Sequence, residues 1–189
     1  MRIISGTVKS TPKVWLPTLS HIAPADLRRT RATLNLLNRC FQHESSLLYD
    51  ELMNPPVQRL PSRPFIWHDI PELDEFRIED KWRERWTSAS PCNYHLLQDP
   101  TVRPPGFDLP RLEWSRLNRI RTGHGRCNSC MYKWNLASSP VCDCGADDQT
   151  MAHIVNFCPL RRFAGSLQEL SDVETDRAKD YLMCLDVRI

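Results

Sequence analysis

Apolar positions recur at helical spacing in several short stretches of the chain, and nowhere do they alternate long enough to mark a strand. Leu27, Leu34, Leu37 and Phe41 predict a helix from about Pro24 to Phe41, with Arg28, Arg29, Arg31 and Arg39 spread around its other sides. Pro24 suits the first turn, where its missing N–H has no partner to lose. A shorter helix near Ser45–Met53 is expected to end before Pro55-Pro56. Ile78, Trp82 and Trp86, at i, i+4 and i+8, predict a helix over Glu72–Trp86 with an aromatic stripe read as a core face. Pro110 opens a further helix to Arg121, with Leu109 before it and Leu112, Leu117 and Ile120 on the inner side. Short helices fit Asn128–Leu136, Asp148–Phe157, Arg161–Leu170 and Thr175–Cys184. Residues 1–24 read as extended and turn-rich around Pro12, Pro17 and Pro24. Asn54–Pro71, with five prolines, reads as a linker or strap, and Ser88–Pro105 as irregular. The expected fold is mainly α: short helices on Pro-rich connections, with a small C-terminal metal-bound subdomain.

Composition adds limits. The chain has 189 residues, 41% of them hydrophobic and 25% charged, enough for a core without disulfide staples. No apolar run has the length of a membrane span or of a signal-peptide core. An intracellular protein, nuclear or cytoplasmic, is therefore expected, and its eight cysteines call for an explanation other than disulfides. The net charge of +2 conceals a block pattern. Residues 1–40 hold seven basic and one acidic side chain, 41–100 six and eleven, 101–134 seven and two, and 135–189 five and nine. Two basic blocks separated by acidic ones can serve as a nucleic-acid surface or as solvated helix faces.

The sharpest local signal is VCDCGADDQTMAHIVNFCP, which places Cys142, Cys144, His153 and Cys158 in a C-x-C-x8-H-x4-C spacing. Three thiolates and an imidazole are the donor set of a closed, tetrahedral zinc site, structural because no position is left for water. A rival set joins Cys127 and Cys130, a C-x2-C pair, to Cys142 and Cys144 and leaves His153 and Cys158 idle. Cys40, Cys92 and Cys184 are isolated.

Upstream, LPRLEWSRLNRIRTGHGRC carries Arg111, Arg116, Arg119, Arg121 and Arg126, followed by a Gly123-His124-Gly125 exit. Arginines on one helix beside glycine amides suit phosphate contacts, with a solvated basic face as the alternative. Arg116, Arg119, Arg121 and Arg126 are the candidate phosphate contacts, and His124 a candidate hydrogen-bonding partner. Trp114 and Trp134 offer faces for stacking on bases or for core packing.

These residues carry a resemblance. LNRIRTGHGRC…KW.L…P.C.CG…QT..HI…CPLR resembles the C-terminal region of reverse transcriptases of non-LTR retrotransposons, of the jockey and CR1-like kind, strongly at 109–163 and loosely at 1–60. The resemblance implies a thumb-like helical segment over 1–60 and a basic helix with a CCHC zinc module over 109–189; the Pro-rich connector with one helix over 61–108 is read from the residue pattern alone. It also implies Cys142, Cys144, His153 and Cys158 as ligands and RNA or DNA as partner. One departure is Asn135, where related sequences often have Gly after the Lys-Trp pair. Paired catalytic aspartates are not legible: Asp147-Asp148 lies between metal ligands and reads as a turn and helix N-terminus. The expectation is a truncated reverse-transcriptase-like chain, the tail of a larger enzyme and not an enzyme on its own, that holds nucleic acid. The alternatives are a zinc-bound protein-interaction module and a genomic remnant without function.

Overall fold

The computed structural model describes residues 1–43, 49–50 and 76–186, and every element in it is helical. The helix expected over 45–53 and the Pro-rich strap over 54–71 lie outside these residues, save Tyr49 and Asp50. The chain divides into two compact units, Met1–Ile22 with Arg85–Ile189, and Ala23–Glu84. These units cut across the three segments read from the sequence, because the N-terminal residues pack with the C-terminal half. No helix of the described residues is long and apolar enough to cross a membrane.

In the smaller unit, α3 (Ala25–Phe41) begins where expected, with Pro24 at its N-cap. Leu27 and Leu37 are buried, Leu34 and Phe41 half-buried, and the four arginines between them largely exposed. Leu27 packs with Ile78 and Trp82, flanked by Ala23 and Phe76. Ile78 and Trp82 come from α4 (Ile78–Ala89), which starts later than the Glu72 expected from the sequence.

The larger unit is organised around α5 (Arg111–Thr122). Trp114, Leu117 and Ile120 of this helix enter one core with Met151, Ile154, Phe163, Leu170 and Leu182. Leu112, expected inside, is 57% exposed. The bulkier Trp114 takes the inward stripe, and Leu112, two residues away, points elsewhere on a helix of 3.6 residues per turn.

The N-terminus departs from expectation most. In place of an extended stretch stand α1 (Arg2–Ser5) and α2 (Trp15–Ser20). Pro17 falls in the first turn of α2, where a missing N–H costs no helix bond. Trp15 and Leu19 are buried with Trp86 and Leu97, and the Trp15 and Trp86 rings meet edge to face at 4.8 Å. A helix of four residues cannot sustain itself, and α5 sustains α1 by taking up its free carbonyls. Ile4 O accepts from Arg111 Nη1 at 2.7 Å and from Trp114 Nε1 at 2.9 Å. Ser5 O accepts from Asn118 Nδ2, and Gly6 O from Arg119 Nε, both at 2.9 Å. Gly6, at φ 66°, is needed twice over: for the left-handed turn, and because a Cβ there would lie 2.1 Å from Ser115 Oγ.

The C-terminal helices are shorter than their periodicity implies. α6 (Asn128–Lys133) stops because Asn135 turns left-handed at φ 57°, a conformation Asn tolerates better than other side chains with a Cβ. The departure from Gly at this position therefore keeps the turn. The helix expected over 161–170 is α7 (Leu167–Asp172), because Ser166 Oγ caps it by accepting from Glu169 N. α8 (Asp176–Cys184) starts at its Thr175 cap, as read. Residues 159–161 instead form a turn after Cys158, and 162–166 lead irregularly into α7.

Candidate metal centre and basic surface

The four residues of the C-x-C-x8-H-x4-C run converge. Their ligand atoms all lie within 4.8 Å of one another, and this is the group that gathers among the described residues. Cys142 and Cys158 sulfurs stand 3.9 Å apart, and Cys144 Sγ lies 3.2 Å from His153 Nε2. A tetrahedral site with metal–sulfur bonds of about 2.3 Å has sulfur–sulfur edges of about 3.8 Å. The four side chains could thus hold a metal ion with little rearrangement.

Local sequence explains the convergence. Cys142 to Ala146 form a tight turn in which Cys142 N–H donates to Ala146 O and Gly145 N–H to Cys142 O, each at 2.8 Å. Gly145, at φ 91°, closes it. On the other side, residues 148–157 do not make a plain α-helix. Thr150 is the cap, its Oγ1 accepting from His153 N at 3.0 Å, and residues 153–157 form a π turn. Cys158 N–H donates to His153 O at 2.7 Å, five residues back. On an α-helix, residues five apart point roughly 140° away from each other. The wider π turn brings both ligands to one side, so Asp147 and Asp148 precede the cap instead of starting the helix.

Cys127 and Cys130 stay out of this group. Cys127 belongs to the core and its thiol is pushed up to about 11 by burial, as befits a neutral buried sulfhydryl. Cys142 differs: burial opposes its ionisation, yet the Cys144 N–H, the Gln149 amide and neighbouring ligand groups outweigh burial and bring it to about 6. Two supporting residues were not singled out by the sequence. Gln149, 2% exposed, donates from Nε2 to Cys142 Sγ at 3.4 Å and accepts from Asn128 N at 3.0 Å. It therefore orients a ligand and caps α6 with one side chain. Arg161 bridges Asp143, inside the cysteine turn, to Asp186 beyond α8, at 2.5 and 2.8 Å.

Gln149→Leu should therefore weaken metal binding by about 10- to 100-fold and leave Asn128 N without its acceptor. Competition with a chelator measures the first, and hydrogen exchange at Asn128 the second. Unchanged metal affinity would exclude the orienting role.

The arginines of α5 do not share one environment. Arg121 is wholly buried and donates to Ser171 Oγ, Ser171 O, Asn118 Oδ1 and Pro105 O, so it faces no solvent-borne ligand. Arg116 is half-buried and donates to Leu182 O and Met183 O at 2.6 and 3.0 Å, capping the last turn of α8. His124 is half-buried, and burial, then Lys133, holds its imidazole below the ordinary range. It is consequently neutral near pH 7. Arg119 and Arg126 share a surface with Lys9 and Trp134 around a groove of about 570 Å³. Lys9 and Arg126 are exposed and Trp134 half-buried, whereas Trp114 is a core residue. Lys9 lies more than a hundred residues from the motif, and no local pattern links the two.

No family model and no solved structure matches the chain. Curated relatives do. Over 95 residues, 49% of this chain, it is 30% identical to the Retrovirus-related Pol polyprotein from type-1 retrotransposable element R1 3 of Nasonia vitripennis. Over 93 residues, 47% of the chain, it is 32% identical to the corresponding R1 polyprotein of Bradysia coprophila. The chain spans 24% and 9% of these two relatives' own lengths. About half of the chain is thus similar to Pol polyproteins of type-1 retrotransposable elements.

Proposed function

We propose that this chain is a segment of a retrotransposon reverse transcriptase that holds RNA or DNA, with its C-terminal part tied together by a structural zinc ion. The observation that carries the reading is the gathering of Lys9, Arg119 and Arg126 on one groove whose lining residues include no carboxylate. Cations gathered on one concave surface suit a polyanion, and similarity to Pol polyproteins fits that partner. Arg119 is pushed below its ordinary range by burial and then by Arg126 and Arg111, a crowding that phosphate relieves. Arg116 and Arg121 serve the same surface indirectly, by fixing α5 against α7 and α8. His124 contributes as a neutral hydrogen-bonding group.

Zinc suits the donor set: three thiolates and one imidazole are soft to borderline ligands and fill a tetrahedron. When bound, the ion supplies folding free energy to a loop without regular structure and no reactive position. Cys142 and Cys144 would hold it from the turn, His153 and Cys158 from the π turn and its end. The proposed role is binding, and no catalytic group of this chain enters it.

Fluorescence anisotropy with a labelled single-stranded oligonucleotide tests the nucleic-acid reading. Three phosphate contacts give a log–log salt slope of about −2, so Kd should rise about 20-fold between 50 and 200 mM salt. Arg126→Gln should weaken binding and flatten the slope by roughly 0.7. Absence of binding at 50 mM salt, or binding indifferent to salt, would overturn the reading.

A further inference from the structure

The groove beside α5 has two kinds of wall. One is cationic: exposed Lys9 on the turn after α1, together with Arg119 and Arg126. The other is apolar: Trp134, half-buried, and Leu136, 66% exposed, from the end of α6 and the residues after it. Ser10 adds a hydroxyl at the rim. At about 570 Å³ the groove falls within the range of roughly 300–1,000 Å³ typical of small-ligand pockets. It is concave and has room for a base and its phosphate.

The walls are built independently of any ligand. Arg2 Nη1 donates to Val8 O at 2.5 Å and Nη2 to Thr11 O at 3.1 Å, clamping the turn that carries Lys9 and Ser10 from both ends. Gly6 O accepts from Arg119 Nε at 2.9 Å, fixing the foot of that turn to α5. Opposite, Asn135 in the left-handed conformation and the Leu136 N to Met131 O bond at 2.8 Å fix where Trp134 and Leu136 leave α6.

An aromatic face beside cations selects among polyanions. In a duplex the bases are stacked on one another and turned inward, so phosphates reach the cations but no base face reaches Trp134. In a single strand each nucleotide has a free π-face for an indole while its phosphate meets Lys or Arg. From this juxtaposition we infer that the groove is a binding site for unpaired nucleic acid, one base lying on Trp134 and the adjoining phosphates on Lys9, Arg119 and Arg126. The inference rests on the nucleic-acid reading above and narrows it to single strands.

The test titrates the zinc-loaded chain with a single-stranded oligonucleotide, as RNA and as DNA, and with a duplex of the same sequence. Single strands should bind at least 10-fold more tightly than the duplex, and their binding should quench tryptophan emission. Trp134→Ala should weaken single-strand binding about 10-fold, the loss of one stacked base, with the salt slope unchanged. Trp134→Phe should recover most of the affinity, and it covers the case in which the alanine variant does not fold. Equal affinity for duplex and single strand, or a folded Trp134→Ala with wild-type affinity, would overturn the inference while salt-dependent binding leaves the broader reading standing. Absence of salt-dependent binding to every oligonucleotide would overturn both. A difference between the RNA and DNA arms would show a contribution from the ribose 2′-hydroxyl.

Discussion

His153→Ala or Cys144→Ala should abolish stoichiometric zinc and release the cysteine turn over 140–150 from its fold. Residues 138–150 form no helix, so few repetitive backbone bonds hold the cysteine turn once the ligands are gone. Its anchors are the Cys142–Ala146 turn, the Gln149 contacts and the Arg161–Asp143 pair. That pair is partly exposed and contributes about 1 kcal/mol or less. Structural zinc, by contrast, binds small modules with roughly 10–16 kcal/mol near neutral pH, and that binding energy is folding energy. Ile154 and Val155 belong to the main core, so the damage should stop there: α5, α7 and α8 keep their helicity. Metal analysis of purified variants and hydrogen exchange over 140–160 measure the two effects. Equal zinc content in variant and wild type would reject the ligand set.

Arg121→Met should cost about 3–5 kcal/mol of unfolding free energy, the scale for breaking a buried charged network by removing one partner. Nothing in the local sequence distinguishes this arginine from Arg119, yet its guanidinium is fully enclosed. Burial pushes it down to about 9, opposed by Asp172, which leaves it charged at neutral pH. Its donors serve Ser171 of α7, Asn118 of α5 and the Pro105 carbonyl. Methionine fills much of the volume but orphans those acceptors where water cannot reach. Lysine restores the charge without the planar fork that reaches several acceptors at once, so Arg121→Lys should recover only part of the loss. Urea titration followed by circular dichroism gives the value. Arg126→Gln, on an exposed side chain, should leave the midpoint unchanged, and a similar small shift for Arg121→Met would show that the network is dispensable.

The positions that were legible share a property: their signal lies within one turn or one loop. Pro24 before Leu27 and Leu37, the helix beginning near Thr175 and the stripe of Trp82 and Trp86 are local patterns, and each falls where it was read. Helix ends were less legible because small devices set them, such as the Ser166 cap and the left-handed Asn135. Leu112 and Trp114 show the limit of periodicity: two apolar residues competed for one inward stripe and size decided.

By itself the sequence determined the helical class, the four Cys and His side chains that gather and the presence of basic blocks, because periodicity, donor chemistry and charge are properties of neighbouring residues. Only the tertiary structure decided which arginines face solvent, that α1 exists at all, and that Lys9 lines one groove with Arg126 and Trp134. Those outcomes depend on long-range geometry. A short helix survives only where a distant one takes up its carbonyls, and a cation becomes part of the core or of a surface groove according to what packs over it.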